Sequence, residues 1–199
     1  DPMSYLLGLT GSIGMGKSTT CALFAKRGCV IWDADSTVHQ AYGPGGVAVE
    51  PVSRILPQVI EKKQINRKRL RKLILKDPSI LPQIEAIVHP LVQQDRQNFI
   101  FANPSSILVF DIPLLFELNA EADFDAVACV FSEPEVQEKR VMTRPGMTKK
   151  YFEIILSKQL PAAYKVARSD YVISTATPKT AEIAVDIILK NIKRKLENA

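Results

Sequence analysis

The stretch Gly11-Ser12-Ile13-Gly14-Met15-Gly16-Lys17-Ser18 decides how the rest of this sequence is interpreted. It fits the pattern G-x-x-x-x-G-K-[ST] at every fixed position, and it lies between the apolar run Tyr5 to Thr10 and a segment of helical periodicity. At an average glycine usage of about 7%, a chance match in a chain of this length is on the order of one in a hundred. We therefore interpret residues 11–18 as a phosphate loop between a buried strand and a helix.

The residue types of this loop suit a nucleoside triphosphate. Glycines let the backbone approach closely and adopt positive φ, and the start of the following helix carries partial positive charge. Lys17 adds a mobile charge for the β and γ oxygens, and the Ser18 hydroxyl is a ligand for Mg²⁺. We predict ATP and Mg²⁺ as cofactors. The predicted nucleotide contacts are Gly11, Ser12, Ile13, Gly14, Met15, Gly16, Lys17, Ser18 and Thr19, together with Arg144.

Composition indicates a soluble α/β protein that binds a small polyanion. The 199 residues are 46% hydrophobic and 24% charged, which allows one domain with room for an inserted subdomain. The net charge is +5, and the basic stretches at 62–63, 67–72 and 190–195 contain no aromatic residues. Interleaved aromatics favour single-stranded nucleic acid, so these stretches are either solvated helix faces or the site of a small anion. We expect no nucleic-acid partner.

The three cysteines and the hydropathy pattern favour a reducing compartment. Cys21, Cys29 and Cys129 have neither CxxC nor metal-ligand spacing, and no apolar run approaches the ~20 residues of a membrane span. We expect a cytoplasmic protein with no signal peptide and no membrane partner, as a monomer or weak homo-oligomer. Asp1-Pro2, ahead of Met3, is interpreted as a cloning remnant.

Strands alternate with helices along the chain, which predicts an α/β fold of P-loop NTPase type, a parallel sheet flanked by helices. The region from Val38 to about Ala102 differs, since Pro51, Pro57, Pro78, Pro82 and Pro90 punctuate charged amphipathic stretches. We predict that it is an all-helical insertion between two strands of the sheet. The expected division is a nucleotide-binding core of residues 1–37, 106–143 and 164–199, an insert of 38–105 and a lid of 144–163.

Two aspartates follow apolar strands, at the edge where ligands bind in open α/β sheets. Asp33 ends the run Val30 to Trp32. We predict that it accepts or orients the proton of an acceptor hydroxyl, the alternatives being an outer partner of Mg²⁺ or a helix cap. Asp35 is either a helix N-cap or a substrate contact. Asp111 ends its strand as a Walker-B aspartate would, which predicts an Mg²⁺ contact through water, or else a cap ahead of Pro113.

Arg140 and Arg144 lie four residues apart, so we expect them on one helical face. Arginines there can neutralise the charge that develops on a γ-phosphate. The alternative is a surface ion pair with Glu133, Glu135 or Glu138. His89, before Pro90, is a weaker candidate for a ligand contact, because a lone histidine is more often structural.

These segments together resemble the dephospho-CoA kinase family over nearly the whole chain. The Asp-Ala-Asp, His-Pro and Asp-Ile-Pro-Leu-Leu-Phe-Glu elements are much more specific than the loop. The matching stretches are Leu9 to Thr19, Asp33 to Asp35, Val88 to Leu91, Asp111 to Glu117, Gln137 with Arg140 and Arg144, Gln159 to Pro161 and Ser169 to Ile173.

The resemblance implies transfer of the γ-phosphoryl group of ATP to the ribose 3′-hydroxyl of dephospho-CoA. By position, Asp33 matches the presumed base, and Lys17 with Arg140 matches the γ-phosphate clamp. The resemblance also implies that the insert of residues 38–105 binds the CoA precursor, and its basic character suits an acceptor that carries a pyrophosphate. The predicted substrate contacts are Asp35, His89, Leu114 and Glu117.

The chain departs from the family pattern in three places. Ser174 to Thr177 stands where the family has an Asn-Gly-like turn near adenine, Ile155 to Lys158 lacks arginine, and Pro161 to Lys165 lacks an acidic residue. We still expect an active enzyme, because the loop and Asp33 are intact.

The alternative is another small-molecule P-loop kinase, such as a nucleoside monophosphate kinase. A GTP-binding switch would need an Asn-Lys-x-Asp element that the sequence lacks, and a nucleic-acid-binding ATPase rests only on the basic runs.

Overall fold

Two units make up the structure, a computed structural model that describes residues 3–199. One unit comprises residues 3–32 and 103–199, and the other is residues 33–102. Asp1-Pro2, interpreted above as a cloning remnant, lies outside the described residues. The strands and helices are β1 (Tyr5–Thr10), α1 (Lys17–Lys26), β2 (Val30–Asp33), α2 (Ala34–Tyr42), α3 (Val49–Ile55), β3 (Ile60–Glu61), β4 (Gln64–Ile65), α4 (Arg67–Lys76), α5 (Ile80–Ala102), β5 (Ile107–Asp111), β6 (Ala126–Phe131), α6 (Pro134–Met142), α7 (Lys149–Ser157), α8 (Ala162–Arg168), β7 (Tyr171–Ser174) and α9 (Pro178–Glu197).

The first unit is built on a five-stranded sheet with the order β2-β5-β1-β6-β7. Strand β1 pairs in parallel with β5 and β6, and β6 pairs in parallel with β7. The register places Leu9 beside Asp111, and Thr10 beside Cys129. The phosphate loop therefore leaves the centre of the sheet next to the end of β5. The predicted P-loop sheet is confirmed.

The core of this unit consists of the apolar strand runs and the helices that cover them. Leu7, Leu9 and Val109 are fully buried, as central strands of a parallel sheet require. Helix α9 buries Val185 and Ile188, together with Ala181, Leu189 and Ile192. The spacing of its isoleucines predicts that Ile183 and Ile187 share one side with Ile188 and Ile192. This prediction is wrong, since Ile183 and Ile187 are 50% and 56% exposed. The buried stripe instead follows positions 181, 185, 188 and 192.

The second unit has its own apolar core, formed by residues such as Val52, Val59 and Ile84. The all-helical prediction is wrong in one place, because β3 and β4 form an antiparallel hairpin. Its two-residue turn is Lys62-Lys63, with φ of 50° and 62°. Such turns require positive φ and usually carry asparagine or glycine, so this lysine pair gave no hairpin signal.

The segment proposed as a lid, residues 144–163, contains a helix. Gly146 has φ of +73°, and apart from the glycine and its two chain neighbours no described residue has an atom within 4 Å of the position that a Cβ would take there. Helix α7 follows, capped by the Thr148 side chain, which accepts the Tyr151 N–H. Phe152 is the buried anchor of α7, and α8 begins at Ala162 within the predicted segment.

No helix within residues 3–199 combines the length and the apolar character that a membrane crossing requires.

The buried cysteines give the fold an expected pH dependence. Burial raises the pKa of both Cys29 and Cys129 to about 11. The pKa of a thiol in the unfolded chain is about 8.5. As the pH rises, the unfolded chain therefore loses these protons before the folded protein does. The free energy of unfolding should therefore fall between about pH 8.5 and 11. Urea unfolding at pH 8 and pH 10 measures the decrease, and a Cys29→Ala/Cys129→Ala variant should show a smaller one.

Candidate active site

Packing forces glycine at two positions of the phosphate loop. A Cβ on Gly11 would come within 2.3 Å of Val130 Cγ2 of β6, and one on Gly14 within 2.5 Å of Val141 Cγ2 of α6. Gly14 also has φ of +74°, a conformation that side chains disfavour. The loop is thus held tightly between the sheet and α6, with Ser12 and Met15 buried.

Lys17 and Asp111 meet beside this loop. Lys17 Nζ donates to Asp111 Oδ1 in an ion pair, and the two side chains are 17% and 11% exposed. The contact follows from the sheet register, which brings the end of β5 beside β1. Both charged groups are largely withdrawn from water. The ammonium can bind an anionic ligand, and the carboxylate can bind a cation.

Ser18 and Thr19 are exposed in the first turn of α1. Hydroxyl and carboxylate oxygens are the ligands that Mg²⁺ prefers, and this ion usually takes one or two protein ligands together with substrate phosphates. Ser18 and Asp111 fit that chemistry. Within residues 3–199, no group of three or more His, Cys, Asp or Glu side chains is arranged to hold a metal ion.

Arg140 is anchored beside the phosphate loop. Its guanidinium donates to the Thr175 carbonyl oxygen at 2.5 Å, and to Ser132 Oγ and Thr175 Oγ1 at 3.4 Å each. These partners are a carbonyl and two hydroxyl groups, in place of the nearby glutamates that the alternative predicted. The prediction that Arg144 shares a helical face with Arg140 is wrong, because α6 ends at Met142 and Arg144 is exposed beyond it.

Thr175 has a structural role in the segment after β7 that departs from the family pattern. Its hydroxyl donates to the Met15 carbonyl oxygen at 2.5 Å, and its N–H donates to the Phe131 carbonyl oxygen at 2.9 Å. Together with its contacts to Arg140, this buried threonine links the phosphate loop, β6 and α6. Sequence reasoning treated Ser174 to Thr177 only as a departure from the family and missed this role.

Asp33 lies exposed at the carboxyl end of β2 and is the N-cap of α2. Its Oδ1 accepts the Ser36 N–H at 3.1 Å. Of the two alternatives for Asp35, the N-cap is wrong, because the helix follows the strand directly and places Asp35 inside its first turn.

The remaining predicted substrate contacts differ in their surroundings. His89 is exposed on α5, which continues through Pro90, and Leu114 is 40% exposed. Glu117 instead forms an internal ion pair, with its Oε2 2.8 Å from Nζ of the fully buried Lys165. The same oxygen accepts the Leu160 N–H at 2.9 Å. Glu117 therefore has a structural role that the prediction of a substrate contact did not include.

The sequence profile of the dephospho-CoA kinase family matches residues 5–180. This chain belongs to that family. A dephospho-CoA kinase of Ruegeria pomeroyi is 50% identical over 191 residues, which cover 96% of this chain and 97% of that protein. One from Cereibacter sphaeroides is 44% identical over 189 residues, covering 95% and 96% respectively.

Solved structures share the fold along the whole chain. A crystal structure of a Thermus thermophilus protein has a TM-score of 0.85 and 27% identity, and the match covers 98% of both chains. The dephospho-CoA kinase from Campylobacter jejuni has a TM-score of 0.73 at 22% identity, over 97% of this chain and all of that one. The predicted dephospho-CoA kinase resemblance is confirmed.

Within this family framework, Lys17 is the residue whose loss should matter most to phosphate binding. Lys17→Ala removes the charge beside the loop and should lower turnover by about 10²–10³-fold. The control is Lys26→Ala, which removes an exposed lysine from the other end of α1 and should leave turnover unchanged. Steady-state ADP release measures both. Unchanged turnover in Lys17→Ala would refute the assignment of the loop.

The buried pair of Lys165 and Glu117 should contribute mainly to stability. Lys165→Met leaves the Glu117 carboxylate largely buried without its partner, and should lower the free energy of unfolding by about 3–5 kcal/mol. Lys165→Met/Glu117→Gln should recover part of this loss, because the uncompensated charge is gone. Urea unfolding measures both variants, with the exposed Lys179→Met as control. Equal losses in the single and double variants would contradict a charge-pair origin.

Proposed function

We propose that this protein transfers the γ-phosphoryl group of ATP to the ribose 3′-hydroxyl of dephospho-CoA, which gives coenzyme A and ADP. The observation that carries the proposal is the family match over residues 5–180 with the phosphate loop intact. The bond from the γ-phosphorus to the β–γ bridging oxygen breaks, and a bond to the ribose oxygen forms. The hydroxyl proton goes to Asp33.

The contacts of the first unit suit the charge of such a reaction. Backbone N–H groups of the phosphate loop and the N-terminus of α1 would bind the phosphates. Lys17 and Arg140 would neutralise the charge that spreads over the γ-phosphoryl oxygens in a loose transition state. Thr175 supports this role, since it holds the Arg140 guanidinium beside the loop. Mg²⁺, held by Ser18 and Asp111 with the phosphates, would supply further neutralisation.

Asp33 is proposed as the group that orients the acceptor hydroxyl. Its capping contact with Ser36 fixes the side chain at the end of β2, which is where ligands bind in open α/β sheets. A carboxylate with a fixed orientation can accept the hydroxyl proton as the new bond forms. Asp35 is proposed as a neighbouring acceptor contact from the same turn.

The second unit is proposed as the acceptor-binding insert, and residues 144–163 as the lid. Exposed basic residues on α4, including Lys68, Arg71 and Lys72, would favour the pyrophosphate of dephospho-CoA. His89 and Leu114 are proposed as further acceptor contacts. Closure of a lid excludes water, which limits hydrolysis of ATP. All three cysteines are free and buried, which supports the proposed cytoplasmic location. A monomeric or weakly homo-oligomeric state stays a prediction.

The proposal is tested by ADP release with MgATP and dephospho-CoA, AMP or no acceptor. Release should depend strongly on dephospho-CoA. Asp33→Asn should lower it by about 10²–10⁴-fold while ATP binding is kept, because asparagine is an equally good N-cap but a poor base. The control is Asp77→Asn, since Asp77 accepts the Ser79 N–H at 3.1 Å in a comparable contact.

Other outcomes would overturn the proposal in distinct ways. Release that depends on AMP alone would make the protein a nucleoside monophosphate kinase. A rate of ADP release that is the same with and without each acceptor would make the protein an ATPase. Loss of ATP affinity in Asp33→Asn would assign this carboxylate to nucleotide or metal binding and remove it as the base.

A further inference from the structure

Two glutamines hold the backbone of Ile13 within the phosphate loop. Gln137 Nε2 donates to the Ile13 carbonyl oxygen at 2.8 Å, and the Ile13 N–H donates to Gln159 Oε1 at 3.3 Å. A carbonyl oxygen needs a donor and an N–H needs an acceptor, so these contacts fix which atom of each amide faces the loop.

The two glutamines belong to different parts of the first unit. Gln137 is buried on α6, the helix whose surface also packs against Gly14. Gln159 is half-buried in the connection between α7 and α8, inside the segment proposed as a lid. The loop is thus fixed to a helix on one side and to the lid segment on the other.

The backbone around Gln159 is itself firmly anchored. Its N–H donates to the Leu156 carbonyl oxygen at 3.1 Å, which continues the end of α7. The next residue, Leu160, donates its N–H to Glu117, whose carboxylate pairs with the buried Lys165. An ion pair with one fully buried partner therefore fixes the residue next to Gln159, at the end of the lid segment opposite Gly146.

Gln159 provides an uncharged acceptor at a loop that binds phosphates. A neutral amide oxygen can hold the Ile13 N–H without opposing the negative charge of a triphosphate. A carboxylate in the same place would accept the same hydrogen bond and repel the nucleotide. The side chain therefore combines the length needed to reach Ile13 with the absence of charge.

We propose that Gln159 is a positioning residue for ATP, which orients the Ile13 segment of the phosphate loop and couples it to the lid segment. The proposal rests on the proposed function, since it concerns the nucleotide site of the same reaction. It adds a residue that acts through Ile13, and a physical route from the loop through Gln159 and Leu160 to the Glu117–Lys165 pair.

The test compares two substitutions of similar size. Gln159→Glu keeps the acceptor, so thermal stability should be unchanged, whereas the KM for MgATP should rise about tenfold and this rise should shrink at high salt. Gln159→Leu loses the acceptor, so its KM for MgATP should rise at every salt concentration. In both variants kcat and the KM for dephospho-CoA should change much less. Asn198→Asp makes the same charge change at an exposed site and should have no effect.

Direct binding separates this proposal from the assigned reaction. Calorimetric titration with a non-hydrolysable ATP analogue needs no acceptor, and Gln159→Glu should bind it about tenfold more weakly than the unsubstituted protein. If the unsubstituted protein fails to phosphorylate dephospho-CoA while this difference persists, the proposed function falls and the role of Gln159 stands. Unchanged nucleotide affinity in both variants would overturn the role of Gln159, as would a loss of stability and kcat without a change in KM.

Discussion

The ion pair between Lys17 and Asp111 is the contact on which the arrangement of the site depends. It exists because β1 and β5 are neighbours in parallel, with Leu9 beside Asp111, so the loop after one strand meets the carboxylate at the end of the other. Close packing also explains two glycines of the loop, since the loop backbone passes close to Val130 and Val141. One sheet register thus fixes the positions of the Lys17 ammonium and the Asp111 carboxylate beside the phosphate loop.

The sheet could be predicted because its strands are uniformly apolar and its loop has a strict pattern. Central parallel strands are buried on both faces, so Tyr5 to Thr10 and Ile107 to Asp111 were recognisable from residue type alone. The Lys62-Lys63 turn could not be predicted, because both residues adopt a positive φ, which lysine disfavours. The face of α9 was also misjudged, since a helix rich in isoleucine on several sides does not reveal which side the sheet covers.

Contacts between distant segments were the least predictable part of the site. The loop motif and the strand-end aspartates are local patterns, and the structure places them at the ends of their strands as expected. Thr175, Gln159 and Lys165 act through partners far along the chain, such as Met15, Ile13 and Glu117. A buried lysine in a short, alanine-rich helix has no signature in the sequence. The Gln-Leu-Pro element was matched to the family, and that match was the only available pointer to Gln159.

The order of segments along the chain has a consequence for synthesis on the ribosome. Strand β1 is made first, yet both of its partners, β5 and β6, lie beyond the second unit in the sequence. The second unit is one continuous segment with a separate core, so it can fold before β5 and β6 have been synthesised and can pair with β1. Its early folding would shorten the flexible connection that must close before the sheet forms, and so lower the entropic cost of that closure. The second unit would then be structured before the two chain segments that flank it join in one sheet.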